Sequence, residues 1–281
     1  MRTETFATPG SVRLKVSIPS GEIRLETSDE PETHVELEAR DEEALAAATI
    51  EVRERGGGHE VVIDARDRGR GIFRSAEVLV SVSCPDGTSV EAKSGSADVN
   101  GRGRFGSVEV ETGSGDVEFG EIGGEAQVTA ASGDVQLGTV DGDARVNTAS
   151  GDVQVRAIAG EAKVNTASGD VIVREVDGEL SVNSASGDVL VRAARSSVSV
   201  NTASGDQEIG SVTQGSVSLK SASGDLKVGI AEGSTLFVDA RSRSGEVRSE
   251  LPVSDVPPEN GGPAVELNAN TMSGDITVAR A

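Results

Sequence analysis

The stretch Ala144-Arg-Val-Asn-Thr-Ala-Ser-Gly-Asp-Val-Gln-Val155 decides the fold, because close copies of it recur along the chain. Its Ser-Gly-Asp tripeptide begins at six serines with a constant 18-residue spacing, which are Ser114, Ser132, Ser150, Ser168, Ser186 and Ser204. The tripeptide returns at Ser223 and Ser273, and a Ser-Gly-Glu version starts at Ser244. Self-similarity at a fixed period is typical of repeat proteins, in which each unit buries its apolar side by stacking on its neighbours. The sequence therefore predicts a solenoid.

Apolar residues fall in fixed columns when the chain is written in 18-residue blocks. In one block these positions are Ala144, Val146, Ala149, Val153, Val155 and Ile158. Apolar residues two apart indicate short strands, and a glycine after each half of the block indicates a corner. The pattern predicts an all-β fold, a single-stranded parallel β-helix (β-solenoid) with 18-residue coils and two similar halves in each coil. A solenoid of hexapeptides is excluded, because the sixth residue after Val146 is Asp152.

Residues 1–88 depart from this period but alternate apolar and polar residues, which predicts strands. Leu14 to Leu25 has the layout of a repeat, since Val16 precedes Ser20 as Val146 precedes Ser150. Asp41 to Thr49 is a helix candidate, because an Asp and two Glu occupy its start.

We expect residues 1–88 to form an N-terminal β-strand region and cap with one short helix. Residues 89–281 are expected to form the solenoid repeats with irregular C-terminal coils. Arg66–Arg74 and Pro252–Pro263 are predicted loops, because they interrupt the alternation with Gly or Pro. We expect the C-terminal coil to be the exposed end, through which homo-oligomers or a protein partner could attach.

Composition and charge limit the partners of the chain. A net charge of −21 argues against attraction to nucleic acid or to an anionic membrane. Cys84 is the single cysteine, so an intrachain disulfide is excluded. The first residues lack the apolar run of a secretory signal, and no stretch has the roughly 18 apolar residues of a membrane span. We therefore expect a cytoplasmic protein without direct membrane insertion.

The Ser-Gly-Asp-Val-x-Val repeats, with the related Pro19-Ser-Gly-Glu-Ile-Arg-Leu25 segment before them, resemble a large bacterial family. It comprises adhesin-like β-strand-repeat domains of unknown function and is similar to the toastrack β-helices. The resemblance covers nearly the whole chain and implies a β-solenoid. It brings no catalytic residues with it. It implies either surface display as an adhesin or a part in membrane-stress signalling.

Two sets of repeated polar residues are candidates for binding. The aspartates of the tripeptide would form a row with a spacing of about 4.8 Å, which could hold Ca²⁺ between Asp134, Asp152, Asp170 and Asp188. The structural alternative, which we favour, is that each Asp accepts hydrogen bonds from backbone N–H groups at a corner. The Asn column at Asn147 and the Thr column at Thr148 could form a binding face, but stacked Asn ladders also stabilise a solenoid by themselves. No cofactor is expected.

Catalysis is not expected. A carbohydrate-active β-helix enzyme needs paired carboxylates at one coil, and no coil departs from the repeat in that way. His34 and His59 are interpreted as surface residues. Mimicry of nucleic acid by an acidic face is a further alternative. Such a face would be interrupted by five basic residues, which are Arg145, Arg156, Lys163, Arg174 and Arg192. The sequence favours a non-catalytic scaffold for an unknown protein partner.

Overall fold

The computed structural model describes residues 1–66, 77–251 and 263–281. The predicted loops Arg66–Arg74 and Pro252–Pro263 lie, apart from Arg66 and Pro263 themselves, outside the described residues. No described helix has the length and apolar character needed to cross a bilayer.

The chain forms two compact units, Met1–Gly142 and Asp143–Ala281. The described elements of the first unit are β1 (Arg2–Ala7), β2 (Val12–Ser28), β3 (Glu32–Ala39), α1 (Glu42–Ala47), β4 (Thr49–Arg55), β5 (Gly58–Asp64), β6 (Glu77–Pro85), β7 (Ser89–Phe105), β8 (Val108–Ser114), β9 (Val117–Ile122), β10 (Ala126–Ser132) and β11 (Val135–Val140). Those of the second unit are β12 (Ala144–Ser150), β13 (Val153–Ile158), β14 (Ala162–Ser168), β15 (Val171–Val176), β16 (Leu180–Ser186), β17 (Val189–Ala194), β18 (Val198–Ser204), β19 (Gln207–Val212), β20 (Gly215–Ser223), β21 (Leu226–Ile230), β22 (Thr235–Ser242), β23 (Val247–Ser249), β24 (Ala264–Ser273) and β25 (Ile276–Arg280).

Parallel strand pairs with an 18-residue offset build both units, which confirms the predicted β-solenoid. In the second unit, Ala144 of β12 lies opposite Ala162 of β14, and Val153 of β13 lies opposite Val171 of β15. In the first unit, Val108 of β8 lies opposite Ala126 of β10. Each 18-residue repeat therefore contributes one strand to each of two ladders, and its apolar columns meet inside.

One inward column differs from the prediction. Ala149, which the sequence pattern placed inside, is exposed, whereas Thr148 is only 7% exposed. β12 keeps its two-residue alternation to the end, so the inward side chain after Val146 belongs to Thr148. The inward positions of β13 are as predicted. The two halves of a coil are therefore not equivalent, and the assignment of Ala149 to the core was wrong.

Glycine is required at the two corners for different reasons. Gly169 follows Ser168 with φ +125°, and a Cβ at this position would lie 2.2 Å from the carbonyl oxygen of Gly151. Gly178, at the other corner, has no positive φ, but a Cβ there would lie 2.3 Å from the carbonyl oxygen of Gly160. The Ser-Gly-Asp corner thus needs glycine for its backbone conformation and for space, and the second corner needs it for space.

The predicted divergent repeat in β2 is confirmed. Val16 lies opposite Ala92, Ser20 opposite Ser96, and Ile23 opposite Val99 of β7. Ile23 and Val16 are fully buried. The segment is therefore a coil in register with the later repeats.

Antiparallel strands cap the first unit, as predicted. β4 pairs with β5 through a tight turn at Gly56 and Gly57, which have φ of +61° and +85°. β3 pairs with β6, and β1 pairs with β3, both antiparallel. Between β3 and β4, Asp41 caps α1 by accepting a hydrogen bond from the N–H of Glu43 at 3.0 Å. The predicted short helix is therefore present.

The order of coils in space differs from the order in the chain within each unit. In the first unit, β2 lies between β7 on one side and β5 and β6 on the other. In the second unit, β24 lies between β20 and β22, and β25 lies between β21 and β23. Ser273 therefore stacks directly on Ser223. The last strands of the chain are interior to the stack, and β22 and β23 form its outermost described coil.

Candidate functional site

The Asp column at the Ser-Gly-Asp corner binds the backbone of the solenoid itself. In the second unit, Oδ1 of Asp152 accepts a hydrogen bond from the N–H of Asp170 at 2.9 Å, and Oδ1 of Asp170 accepts one from Asp188 at 2.8 Å. In the first unit, Oδ1 of Asp116 accepts from Asp134 at 2.9 Å. The rearranged coils keep this pattern, since Asp275 donates to Asp225 at 2.8 Å.

The repeated Asp therefore has a structural role. One oxygen of its carboxylate accepts a hydrogen bond from the backbone of the next coil. Among residues 1–66, 77–251 and 263–281, no group of three or more His, Cys, Asp or Glu side chains is placed to hold a metal ion. Ca²⁺ binding by Asp134, Asp152, Asp170 and Asp188 stays an untested alternative to this structural role, and chelation tests it.

The Asn and Thr columns also make internal hydrogen bonds. Nδ2 of Asn165 donates to Oδ1 of Asn147 at 2.8 Å, and Nδ2 of Asn183 donates to Oδ1 of Asn165 at 3.0 Å. The Thr column is buried, and Oγ1 of Thr148 donates to the carbonyl oxygen of Ser150 at 3.2 Å. The Thr side chains therefore cannot form an outward binding face together with the Asn side chains.

A polar groove of about 660 Å³ lies on the outer face of β2, β3, β6 and β7 in the first unit. Ser81 and Ser83 form its floor, because their short side chains lie between longer ones on β2 and β3. Arg24 donates two hydrogen bonds of 2.6 Å to Glu22, which raise the pKa of Arg24 and keep it charged. Arg102 lines the groove and makes no ion pair with the residues that the structure describes.

His34 links two other side chains at this groove. Its Nδ1 lies 2.8 Å from Oγ1 of Thr5, and its Nε2 lies 3.2 Å from Oε1 of Glu36. A hydroxyl, an imidazole and a carboxylate in series are the components of an activated nucleophile. However, β3 and β6 each pair with a strand on both sides, so their backbone N–H groups are not available there as oxyanion donors. The arrangement suits binding of a polar group more than acyl transfer.

Cys84 is not a reactive thiol. Its side chain is fully buried, and this burial raises its pKa to about 11. Since the thiolate is the nucleophile, a thiol with that pKa is almost entirely protonated near neutral pH.

In the second unit, the ladder that contains β12 and β14 carries basic residues, whereas acidic residues lie at the corners beside it. β12, β14, β16, β18 and β20 contain no Asp or Glu. Their outward side chains include Arg145 and Lys163, which lie opposite each other on adjacent strands. The Asp column and the acidic residues that precede β12, β14 and β16 occupy the corners. This face therefore does not offer the continuous acidic surface that mimicry of nucleic acid requires.

Three arginines form a column on the other ladder of the second unit, at Arg156 of β13, Arg174 of β15 and Arg192 of β17. Their neighbours Val155, Val173 and Val191 lie opposite one another, which places the arginines on adjacent strands. All three side chains are exposed. Within the described part of the chain, none of them has an ion-pair or hydrogen-bonding partner. We call this set the arginine column.

The arginine column contrasts with other charges of the same unit. Arg195 pairs with Asp177 of the preceding coil at 2.6 Å, and Lys227 pairs with Glu208 at 3.0 Å. Like charges directly opposite each other on neighbouring strands are destabilising. From the sequence alone, these arginines are recognised only as interruptions of the acidic surface. Their shared 18-residue spacing was the signal that could have identified the column.

Gln207 is a further residue that the sequence pattern missed. It occupies the inward position taken by Val189 in the preceding coil. Its Nε2 donates to Oγ1 of Thr202 at 2.8 Å and to the carbonyl oxygen of Lys220 at 2.9 Å, while its Oε1 is buried without a partner. It is a polar break in an otherwise apolar column, without access from solvent.

The family of the chain follows from comparison with known proteins. The model of the Toastrack DUF4097 family matches residues 12–213 and 179–279. The chain belongs to this family. No curated protein matches it significantly.

Several solved structures are similar to the chain. A "putative adhesin" from Parabacteroides distasonis is 16% identical with a TM-score of 0.47, and the match covers 98% of this chain and 96% of that one. A "putative lipid binding protein" from the same organism is 14% identical with a TM-score of 0.47, covering 99% and 96%. A "putative adhesin" from Parabacteroides merdae is 14% identical with a TM-score of 0.36, covering 98% and 95%. At these values their names are not transferred to this chain.

Proposed function

We propose that this protein is a non-catalytic scaffold that binds a protein partner through the charged faces of its β-solenoid. The proposal rests on the observation that the repeated polar residues make hydrogen bonds within the solenoid itself. Asp170, Asn165 and Thr148 all make hydrogen bonds to neighbouring parts of the solenoid. The repeat therefore supplies rigidity, and the side chains left for a partner are the outward ones on the faces that make no such bond.

The distribution of charge supports a binding role for the faces. Cations without a partner in the described chain, such as Arg145, Lys163 and Arg174, lie on the strand ladders of a protein whose net charge is −21. Carboxylates at the corners keep such a chain soluble. A face built on hydrogen-bonded strands also binds with little loss of conformational entropy, because its side chains are carried on strands that are already ordered.

Site-specific photo-crosslinking in cells tests this function. A photoreactive amino acid at Ser181 or Ser199 on the β16 and β18 face, or at Leu190 next to the arginine column, should give a discrete cross-linked protein product. The same amino acid at Ala131 of β10, an exposed position in the first unit, serves as the comparison. The proposal fails if the face positions give no product.

The groove at His34 provides the opposing test. His34→Ala and Glu36→Gln should leave the cross-linked yield from the faces unchanged. If the wild-type protein had an esterase or glycosidase activity and these variants lost it, the protein would be an enzyme and the scaffold proposal would be rejected.

A further inference from the structure

The arginine column calls for a partner whose negative charges repeat at the spacing of β-strands. Its three guanidinium groups are carried by adjacent parallel strands, which lie about 4.8 Å apart. A planar guanidinium binds a carboxylate through two parallel hydrogen bonds. Three such groups in a row are therefore best matched by three carboxylates in a row on another β-sheet or β-solenoid.

An extended peptide matches this spacing poorly. Its side chains return to the same face only every second residue, or about 6.6 Å, so successive carboxylates fall out of step with the arginines. A row of side chains on adjacent strands has the same repeat as the arginine column and stays in step along its full length.

The second unit itself carries a row of carboxylates of that kind. Asp143, Glu161 and Glu179 directly precede Ala144, Ala162 and Leu180, which lie opposite one another on β12, β14 and β16. All three acidic side chains are exposed. Oδ1 of Asp143 accepts a hydrogen bond from the N–H of Glu161 at 2.8 Å. We call Asp143, Glu161 and Glu179 the acidic column.

We propose that the second unit self-associates laterally, with the arginine column of one copy against the acidic column of another. The inference rests on the proposed scaffold function and names a second copy of this chain as one partner. The two columns have the same number of charges, the same 18-residue spacing and opposite signs, so they pair in register along three coils. This contact is lateral, and therefore different from the attachment at a terminal coil that the sequence suggested.

The placement of the columns determines the kind of assembly. The arginine column lies on β13, β15 and β17, whereas the acidic column lies at the corner before β12, β14 and β16. A copy bound at one column leaves its own second column available. Such a heterologous contact adds further copies until a ring closes, or else continues as an open array.

The contact is weak and depends on salt. Exposed ion pairs contribute little individually, and salt screens them. The net charge of −21 on each copy opposes the approach as well. We therefore expect self-association only at high protein concentration, with a dissociation constant that rises further as salt is added beyond physiological ionic strength.

Sedimentation velocity over a range of protein concentrations tests the proposal. The wild-type chain should shift towards larger species as concentration rises. Arg156→Glu/Arg174→Glu/Arg192→Glu should weaken association by about tenfold or more, because three attractive pairs become repulsive. Arg156→Gln/Arg174→Gln/Arg192→Gln should weaken it less. Circular dichroism establishes that each variant is folded.

A charge exchange gives the decisive arm. Glu161→Lys/Glu179→Lys leaves Asp143 and its hydrogen bond in place. By itself, this variant should also associate much more weakly than the wild type. Mixing this variant with the Arg-to-Glu variant should restore association, because the contact between the two unmutated columns then joins three opposite pairs and the contact between the two mutated columns joins two. Lys220→Glu/Arg243→Glu changes two exposed cations that lie outside both columns and should have no effect.

Three results would overturn the proposal. They are a wild-type chain that stays monomeric at all concentrations, a mixture of the two charge-exchanged variants that fails to associate, and an equal loss of association in the Lys220→Glu/Arg243→Glu control. A monomer that instead bound poly-glutamate through the arginine column would show that the partner is an anionic polymer. Cross-linking of a different protein from the faces, with no self-association, would retain the scaffold function and reject this inference alone.

Discussion

The backbone N–H of Asp188 donates a hydrogen bond to Oδ1 of Asp170, which occupies the same corner one coil earlier, at 2.8 Å. Asp170 is therefore both a donor to Asp152 of the coil before it and an acceptor for Asp188 of the coil after it. The repeated tripeptide is thereby explained by the backbone that it holds together.

Asp170→Ala should lower the free energy of unfolding by about 1 kcal/mol, because the N–H of Asp188 loses its acceptor. The loss is modest because the corner is exposed and the change also removes one charge from a row of like charges. Asp170→Asn keeps an oxygen acceptor and should lose less. Urea denaturation measures both, and an Ala variant as stable as the wild type would show that the bond does not stabilise the corner.

A chelator should leave the melting temperature of the wild-type chain unchanged, because the Asp column is already stabilised by hydrogen bonds such as that from Asp188 to Asp170. Differential scanning calorimetry with and without a Ca²⁺ chelator measures this. A decrease that occurs in the wild type and disappears in Asp170→Asn would instead establish a Ca²⁺ site in the column.

Val164→Asp should be severely destabilising, by about 4 kcal/mol or more, because it buries a charge without a partner in the interior of the second unit. Lys163→Asp, one residue earlier and exposed, should change the free energy of unfolding by only about 0.5 kcal/mol. Thermal denaturation compares the two variants. Similar losses in both would contradict the assignment of the inward column.

Gly169→Ala should cost more than Gly233→Ala. Both glycines have a positive φ, but a Cβ at Gly169 would lie 2.2 Å from a backbone oxygen, whereas Gly233 has open space around it. Gly233→Ala should cost about 1–2 kcal/mol from the backbone conformation alone. Gly169→Ala should exceed that by about 2 kcal/mol or more, since the stacked coils must separate locally. Equal costs in urea denaturation would mean that the corner relaxes freely.

Alkaline pH should destabilise the first unit through Cys84. Burial raises the pKa of this thiol from 9.0 to about 11 in the folded chain, so the folded state retains the proton that the unfolded state releases. The stabilisation is complete below pH 9 and is lost as the pH rises towards 11, with a total of about 3 kcal/mol at most. Cys84→Ala should lack this decline. A parallel decline in both chains, measured by urea denaturation across this range, would assign it to other groups.

The coil could be predicted because each of its features has a local cause. Alternating valines such as Val153 and Val155 specify an inward face, and a Gly with positive φ such as Gly169 specifies a corner. The error at Ala149 has a local cause as well. The residue type favoured burial of the alanine over its neighbour Thr148, but the alternation of an uninterrupted strand determines which side chain points inward.

The order of the coils could not be predicted, because the repeat specifies register but not neighbours. Ser273 stacks on Ser223 through the same corner geometry that joins Ser168 to Ser150. The repeat pattern is therefore compatible with more than one order of stacking of the coils. The arginine column could have been predicted from the spacing of its residues. Its lack of ion-pair partners in the described chain could not, because this depends on which side chains lie beside it in the structure.

The exchanged coil order has a consequence for how the second unit is synthesised. The ribosome releases Thr235–Ser249, the outermost described coil, before Ala264–Arg280, the coil on which it must pair. β22 and β23 consequently remain with unpaired backbone groups until β24 and β25 have emerged. Pairing of this coil therefore requires β24 and β25, so a chain truncated before residue 264 would lose two coils of the stack instead of one.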